Sequence, residues 1–191
     1  MKKILIGTHN KGKFKEIAYL ISKKYKKISP VSLQIKSPKE TGKSFISNSK
    51  LKVNYFSKFV DYPIISDDSG LCIKALNNKP GIYSARLAKK HGGFFKAMKF
   101  ILKKMEKVKN RRATFVCSLS YKNIKEKIVT VEGRLKGNIS IKILGKKGFG
   151  YDPIFIPLNK KITFGQMAKL KKIKMDHRFI AFQKLKRKIK I

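Results

Sequence analysis

The sequence predicts an α/β or α+β protein built around a mixed sheet. Short apolar runs at residues 3–7 and 64–65 are typical of buried strands, and other segments carry apolar residues at helical spacing. Residues 113–121 and 127–132 alternate apolar and polar side chains, which predicts a hairpin joined by a polar turn. Because the chain has no internal repeat and no linker-like stretch, we expect a single domain over residues 1–191.

The helices are predicted from apolar stripes and capping residues. A turn at residues 8–12 leads into a first helix at 13–24, and Ser44 is placed to cap a second helix. A third helix is predicted at 94–108, and Asp176 is placed to cap the last one. The apolar stripe of the second helix comprises Ile46, Val53, Phe56 and Val60.

Shorter elements complete the prediction. The strand that begins at Pro63 is expected to end at the Asp67-Asp68-Ser69-Gly70 segment, and residues 71–76 are expected to continue extended into a turn. Another strand is expected at residues 139–144. Thr163 followed by Gln166 has the spacing of a capping box, which predicts a short helix there.

The charge of the chain indicates anionic partners but does not identify them. Lysine and arginine number 48 against 10 aspartates and glutamates, which gives a formal net charge of +38. Such a charge favours binding to nucleic acid or attraction of polyphosphate substrates. The lysines are spread over nearly every segment without a compact basic tail, and an A/T-rich coding sequence would give the same bias toward lysine and isoleucine. Both interpretations stay open.

Several protein classes are excluded by simple counts. No apolar run approaches the roughly 18 residues that a membrane span needs. Only Ile4-Leu5-Ile6 follows the first lysines, which is too short for the apolar core of a secretory signal. Cys72 and Cys117 lie far apart and form no metal or redox motif. We therefore expect a soluble, cytoplasmic protein.

A glycine-containing turn follows the first predicted strand. Residues 7–13 fit the pattern G-x-x-x-x-G-K, and the start of a helix favours anions, so this turn is a candidate phosphate-binding site. A Walker A loop needs Ser or Thr at the next position, where this chain has Phe14. An ordinary loop is the alternative.

Carboxylates are scarce, so adjacent Asp67 and Asp68 are conspicuous. Two neighbouring carboxylates can hold Mg²⁺, or one can bind the metal while the other accepts a proton from water. The alternative is a turn in which both side chains bond to local backbone.

Two further segments have the chemistry of a nucleotide site. In residues 148–153, glycines flank Phe149, so the backbone can approach a ligand and the ring can stack on a base. A tight turn that fills the core is the alternative there. Farther on, His177 and Arg178 follow the capping Asp176, in a first helical turn where an anion is favoured. A structural histidine is the alternative there.

Together these segments resemble the inosine triphosphate pyrophosphatase family, which acts on non-standard purine nucleotides. The matching segments run in family order from residue 8 to residue 178. They are residues 8–13, Glu40-Thr41-Gly42 with Phe45-Ile46 and Asn48, residues 67–71, residues 80–86, residues 148–155, and Lys172 with His177-Arg178.

The resemblance implies a long twisted sheet with flanking helices, two lobes around a central cleft, and a homodimer. It implies Mg²⁺-dependent cleavage of ITP, dITP and XTP to the monophosphate and pyrophosphate. Asp68 would be the general base, and Asp68, Glu40 and Asp67 would be the metal ligands. The implied substrate contacts are Thr8, His9, Asn10, Lys11, Gly12, Lys13, Ser69, Phe149, Gly150, Tyr151, Asp152, Lys172, His177 and Arg178.

The chain departs from the family pattern at four positions. Lys39 and Ser47 stand where many relatives carry acids, and Gln166 stands where Glu is usual. Fewer carboxylates near a metal should weaken Mg²⁺ binding. Asp176 replaces a usual Ser, and both residue types cap helices well.

Two other functions fit part of the sequence. A P-loop-like NTPase would pair residues 7–13 with the strand end at Asp68 and would release the γ-phosphate. A basic nucleic-acid-binding protein would explain the charge, and its binding would be non-specific because no recognised binding motif is present.

Overall fold

The computed structural model describes residues 1–123 and 127–189 and contains a six-stranded sheet in the order β2-β1-β3-β4-β5-β6. The strands are β1 (Lys2–Ile6), β2 (Tyr25–Ile28), β3 (Ile64–Ile73), β4 (Arg112–Lys122), β5 (Val129–Ile139) and β6 (Phe155–Pro157). Strand β1 pairs in parallel with β2 and β3, whereas β5 and β6 are antiparallel, so the sheet is mixed. The helices are α1 (Lys11–Leu20), α2 (Phe45–Phe56), α3 (Ser84–Lys90), α4 (Phe94–Lys104), α5 (Lys169–Ile173) and α6 (His177–Lys186). The predicted mixed sheet with flanking helices is confirmed.

The described residues form two compact units. Unit 1 comprises residues 1–68, 117–123, 127–133 and 178–189, and unit 2 comprises residues 69–116 and 134–177. No helix in the described part of the chain is long and apolar enough to cross a membrane.

The core of unit 1 is arranged around β1. Ile4 and Ile6 pack into one apolar cluster and Leu5 into another, because successive strand residues point to opposite faces. Both faces of this parallel strand are covered, which explains its uninterrupted apolar sequence. The first cluster also contains Ile17 of α1 and Phe182 of α6.

The core of unit 2 is rich in aromatic rings. Phe115, Phe155 and Phe164 are buried together, with the rings of Phe115 and Phe155 4.4 Å apart. Helix α4 packs against this cluster through Ala97, Met98 and Ile101.

Capping decides where the first two helices begin. Helix α1 begins at Lys11 rather than at 13, because the Asn10 side chain accepts a hydrogen bond from the Lys13 backbone N–H at 3.0 Å. Ser44 caps α2 as predicted and forms a capping box with Ser47. The predicted stripe of α2 was partly wrong, because Ile46 is 41% exposed and Val60 lies beyond the end of the helix.

Strand β3 contradicts the predicted strand end. It continues through Asp67, Asp68 and Gly70 to Ile73, so these residues are not in a turn. The extended segment predicted at residues 71–76 is confirmed only to Ile73, because residues 74–76 form a short 3-10 helix. Gly70 permits a close approach, since a Cβ there would collide with the Gly81 carbonyl and the Ser84 hydroxyl.

Four other predictions need correction. The predicted strand at residues 139–144 is wrong, because β5 ends at Ile139. The Thr163–Gln166 helix is only a turn, in which the Thr163 N–H donates to Gln166 Oε1. Helices α1 and α4 end four residues earlier than predicted, at Leu20 and Lys104.

Helix α6 begins at His177, directly after Asp176, as predicted. The strands of the predicted hairpin exist as β4 and β5, while residues 124–126 of its turn lie outside the described residues.

Candidate active site

The predicted phosphate-binding turn lies in unit 1, between β1 and α1. Thr8 is buried, and its hydroxyl accepts a hydrogen bond from the Asn10 N–H at 3.3 Å. His9 is exposed, with Nε2 2.9 Å from the Ile35 carbonyl oxygen. Lys11 and Gly12 begin α1, where backbone N–H groups and the helix dipole favour an anion.

Asp67 is completely buried and is held by the last residue of this turn. Lys13 Nζ lies 3.1 Å from Asp67 Oδ2. Burial by itself raises the pKa of Asp67, but the charges of Lys13, Lys52 and Arg178 outweigh burial and lower the pKa to about 2. Asp67 is therefore ionised at neutral pH.

Asp68 has the opposite electrostatic character from its neighbour. Asn48 Nδ2 donates a hydrogen bond of 2.9 Å to Asp68 Oδ2. Burial raises the pKa of Asp68 above its ordinary value, and the charges of Lys52 and Lys13 only partly offset burial. A carboxylate with a raised pKa is better suited to accept a proton.

Lys52 is a buried cation between two carboxylates. Its Nζ lies 2.8 Å from Glu40 Oε1 and 4.0 Å from Asp68 Oδ1. Burial lowers the pKa of Lys52, but the charges of Asp67, Asp68 and Glu40 hold this pKa above its ordinary value. Lys52 therefore stays protonated at neutral pH.

Asn48 connects this cluster to the loop that carries Glu40. While its Nδ2 donates to Asp68, its Oδ1 accepts the Gly42 N–H at 2.8 Å. A Cβ on Gly42 would collide with Ser47 Oγ and Asn48 Oδ1, so only glycine fits this approach. The same asparagine thus fixes both a site carboxylate and the loop beside it.

Arg178 is also buried in unit 1. Its Nη1 donates to Glu16 Oε2 of α1 at 2.9 Å, and both side chains are almost fully buried. Lys13, Lys52 and Arg178 all lower the pKa of Asp67, so three cations act on one carboxylate.

Unit 2 contains a second set of predicted contacts, centred on Asp152. Its Oδ2 accepts the Phe149 N–H at 2.8 Å and lies 2.5 Å from Lys172 Nζ. Lys172 Nζ also lies 4.6 Å from the centre of the Phe149 ring, within the range of a cation–π interaction. Gly148 has φ +76°, and a Cβ there would collide with Asp152 Oδ2.

The other predicted contacts of unit 2 are held by their neighbours. The Tyr151 hydroxyl donates to the Ser84 carbonyl at 2.9 Å, and burial raises the pKa of Tyr151. The His177 ring stacks on Phe115 with 4.7 Å between ring centres and an angle of 11°. Ser69 is half-buried in β3, and Gly150 takes a positive φ of 66°.

Comparison with known proteins establishes the family. The model of the Ham1 family matches residues 4–188. The chain belongs to the Ham1 family. Its members in solved structures include the Staphylococcus aureus Ham1 protein, with a TM-score of 0.86 and 33% identity over 97% of both chains. A HAM1 protein from Coxiella burnetii gives a TM-score of 0.86 and 30% identity, with coverage of 97% of this chain and 96% of that one.

Two proteins with similar sequences have names that state an enzymatic activity. A protein of Dictyoglomus thermophilum named dITP/XTP pyrophosphatase is 40% identical, and the match covers 96% of this chain and 92% of that protein. A protein of Caulobacter vibrioides with the same name is 38% identical, with 96% of each chain covered. Both matches extend over nearly the full length, as does the Ham1 family match.

The predicted residues of this Ham1-family chain fall in both units. Unit 1 contains Thr8, His9, Asn10, Lys11, Gly12, Lys13, Glu40, Asp67, Asp68 and Arg178. Unit 2 contains Ser69, Phe149, Gly150, Tyr151, Asp152, Lys172 and His177.

Sequence reasoning assigned no site role to three residues of unit 1: Glu16, Asn48 and Lys52. One signal was available, since Asn48, Lys52 and Phe56 recur every four residues on α2 and share one helical face. A lysine on the same helical face as a buried phenylalanine needs an anionic partner if its ammonium is buried too.

Proposed function

We propose that this chain hydrolyses dITP, ITP and XTP between the α and β phosphates, releasing the monophosphate and pyrophosphate. The supporting observation is the buried Asp68, which is oriented by Asn48 and lies beside the cation of Lys52, in a Ham1-family chain. Such an enzyme cleanses the purine nucleotide pool, and we place it in the cytoplasm as one domain over residues 1–191.

The charges of unit 1 suit this reaction. Displacement at phosphorus needs an oriented water and compensation of negative charge more than covalent chemistry. Asp68 accepts the proton of the attacking water, while Lys13 and Lys52 offset the charge of the phosphates. The N–H groups at the start of α1 bind the triphosphate, whose charge the helix dipole favours.

The carboxylates also fit a divalent metal, and Mg²⁺ is the metal we propose. Within residues 1–123 and 127–189, no group of three or more His, Cys, Asp or Glu side chains is arranged to hold a metal ion. Glu40 and Asp68 nevertheless converge on a single cation, the Lys52 ammonium. Two carboxylates fit Mg²⁺, which typically uses one or two of them and completes its shell with water and substrate phosphates.

Among the three predicted metal ligands, Asp67 fits another role better. It is wholly buried and paired with Lys13, so it holds the lysine of the phosphate-binding turn. When bound, the metal would neutralise phosphate charge. Glu40 and Asp68 would hold it.

The residues of unit 2 suit recognition of the purine base. Phe149 offers a ring for stacking, and Asp152 fixes both its backbone and the Lys172 ammonium. The ammonium of Lys172 and the imidazole of His177 are hydrogen-bond donors. Such donors favour the 6-oxo group of hypoxanthine and xanthine over the 6-amino group of adenine.

The first experiment compares wild type with Asp68→Asn on ITP, XTP, dITP, ATP and GTP in the presence of Mg²⁺. We expect monophosphate and pyrophosphate from the first three, and a loss of about 10³-fold in kcat for the variant. The matched control is Asp61→Asn, which removes an exposed aspartate and should leave kcat unchanged.

Two results would contradict the proposal. Diphosphate and phosphate as products would favour a P-loop-like NTPase. Equal turnover by Asp68→Asn and Asp61→Asn would show that Asp68 takes no part in the reaction. The proposed homodimer is tested separately by sedimentation equilibrium of the wild-type chain.

A further inference from the structure

Helices α3 and α4 lie in a basic segment of unit 2. Residues 69–105 contain no aspartate or glutamate. The same segment contains nine lysines and arginines, namely Lys74, Lys79, Arg86, Lys89, Lys90, Lys96, Lys99, Lys103 and Lys104. The basic side chains of this segment therefore have no compensating carboxylate within it.

Helix α4 presents a surface made of lysine and phenylalanine. Its buried side comprises Ala97, Met98 and Ile101. Its exposed residues are Phe95, Lys96, Lys99, Lys103 and Lys104, and Phe100 is half-buried. At 100° per residue these side chains share one half of the helix, so lysines and aromatic rings form one continuous face.

Aromatic rings on this surface are paired with cations. Lys99 Nζ lies 4.9 Å from the Phe95 ring centre, and Arg86 Cζ lies 4.9 Å from the Tyr83 ring centre. Phe95 is 56% exposed and Tyr83 is 53% exposed, so both rings keep accessible area. We call these residues, together with the exposed lysines of α3 and α4, the α3–α4 face.

We propose that the α3–α4 face binds single-stranded nucleic acid without sequence preference. Exposed aromatic rings beside a track of cations are what such strands require, since bases stack on the rings and phosphates pair with the lysines. The proposal is independent of the hydrolase activity and uses none of the residues assigned to it.

A second copy of the chain fits this face poorly. In a two-fold dimer the same surface meets itself, which would oppose lysine to lysine with no carboxylate from residues 69–105 between them. A polyanion would neutralise these lysines, whereas a second copy would bring further positive charge against them.

The test measures binding of a fluorescent oligo-dT strand and of a duplex of equal length by anisotropy, at several salt concentrations. We expect Phe95→Ala to weaken single-strand binding about tenfold through lost stacking. The Lys99→Gln/Lys103→Gln pair should reduce the slope of log K against log salt by about 1.4.

Matched controls separate this face from the charge of the whole chain. Phe59→Ala removes another phenylalanine, 52% exposed, from unit 1. Lys23→Gln/Lys24→Gln removes two exposed lysines and leaves the same net charge as the tested pair. Both controls should bind like wild type, and ITP hydrolysis should be unchanged in all four variants.

Three outcomes would overturn the proposal. In the first, the controls weaken binding as much as the tested variants, so overall charge is responsible. In the second, the duplex binds as tightly as the single strand and is equally sensitive to Phe95→Ala. In the third, Phe95→Ala converts a dimer to a monomer without changing binding, which would assign the face to a second copy.

Discussion

In unit 1 the buried Lys52 lies between two carboxylates, whereas in unit 2 the buried Lys172 lies against the carboxylate of Asp152 and the ring of Phe149. Glu40, one of the partners in unit 1, keeps 28% of its side chain exposed. In unit 2, both Lys172 and Asp152 are about 3% exposed. The cluster of unit 1 therefore meets solvent, whereas Lys172 and Asp152 are shut off from it, and we call these two residues the closed pair.

The difference fits what each unit is proposed to bind. A triphosphate with its metal adds and removes several charges, and a cluster in which Lys52 lies beside two carboxylates can redistribute its contacts. A purine base is neutral, so its pocket needs a fixed shape, and a buried pair that also holds the Phe149 N–H provides one.

The largest effect on stability should therefore come from breaking the closed pair. Asp152→Asn leaves the buried Lys172 ammonium without its carboxylate, and we expect the free energy of unfolding to fall by about 3 kcal/mol. Glu40→Gln also replaces a carboxylate beside a buried lysine, but Lys52 keeps Asp68, so we expect a loss below about 1 kcal/mol.

Urea unfolding of both variants at neutral pH measures this contrast. The double variant Asp152→Asn/Lys172→Met also removes the ammonium that Asp152 compensates, and it should recover part of the loss. Equal losses for Asp152→Asn and Glu40→Gln would show that the two lysines depend on their carboxylates in the same way.

The next effect concerns Asp67 inside the shared cluster. The folded pKa of Asp67, about 2, lies below the unfolded value, so this carboxylate stabilises the fold above about pH 4 and loses that contribution as the pH falls toward 2. Asp67→Asn should cost about 2 kcal/mol at neutral pH. Urea unfolding at several pH values should show the difference from wild type shrinking through this window, and a constant difference would contradict the assigned pKa.

Neutral polar contacts in unit 1 provide a smaller, pH-independent comparison. Ser49 Oγ of α2 lies 2.9 Å from Ser118 Oγ and 2.8 Å from Ser120 Oγ of β4, and all three residues are buried. Ser49→Ala should cost about 1 kcal/mol, because two buried hydroxyls lose a partner. Since no charge is involved, its cost should be equal at pH 4 and pH 7, and a pH-dependent cost would mean that α2 also shifts the charged cluster.

Much of the fold follows from local sequence, and the predictions that were wrong have physical reasons. Ser44 and Asp176 correctly predicted where α2 and α6 begin, because capping depends on neighbours in the chain. Asp67-Asp68-Ser69-Gly70 favours a turn locally, but β3 runs through it, since the demands of a sheet outweigh local preference. Strands β2 and β6 were not predicted, because four and three residues are too few to show the alternation of apolar and polar side chains.

Site residues that belong to a motif could be predicted from the sequence. Contacts between residues that only folding brings together could not. Asp68 and Lys13 lie in recognisable segments. The partnership of Arg178 with Glu16 joins residues 162 positions apart, and that of Asn48 with Asp68 joins residues 20 apart. Helical spacing places Asn48 on one face with Lys52, but nothing in the local sequence identifies Asp68 as its partner.

The smallest effect, and the only gain in stability among these predictions, should come from Asp68→Asn. Burial raises the folded pKa of Asp68 above its ordinary value, so its ionised form costs stability at neutral pH, and this cost disappears as the pH falls below the unfolded pKa. An asparagine keeps an oxygen to accept the Asn48 Nδ2 hydrogen bond and removes the buried charge. We therefore expect urea unfolding at pH 7 to show a gain smaller than the loss from Ser49→Ala, fading toward pH 3.

A loss at pH 7 would mean that Lys52 needs Asp68 as much as Lys172 needs Asp152, and the contrast between the two units would fail. A variant that is more stable but inactive would instead show that unit 1 keeps a destabilising carboxylate for its chemistry.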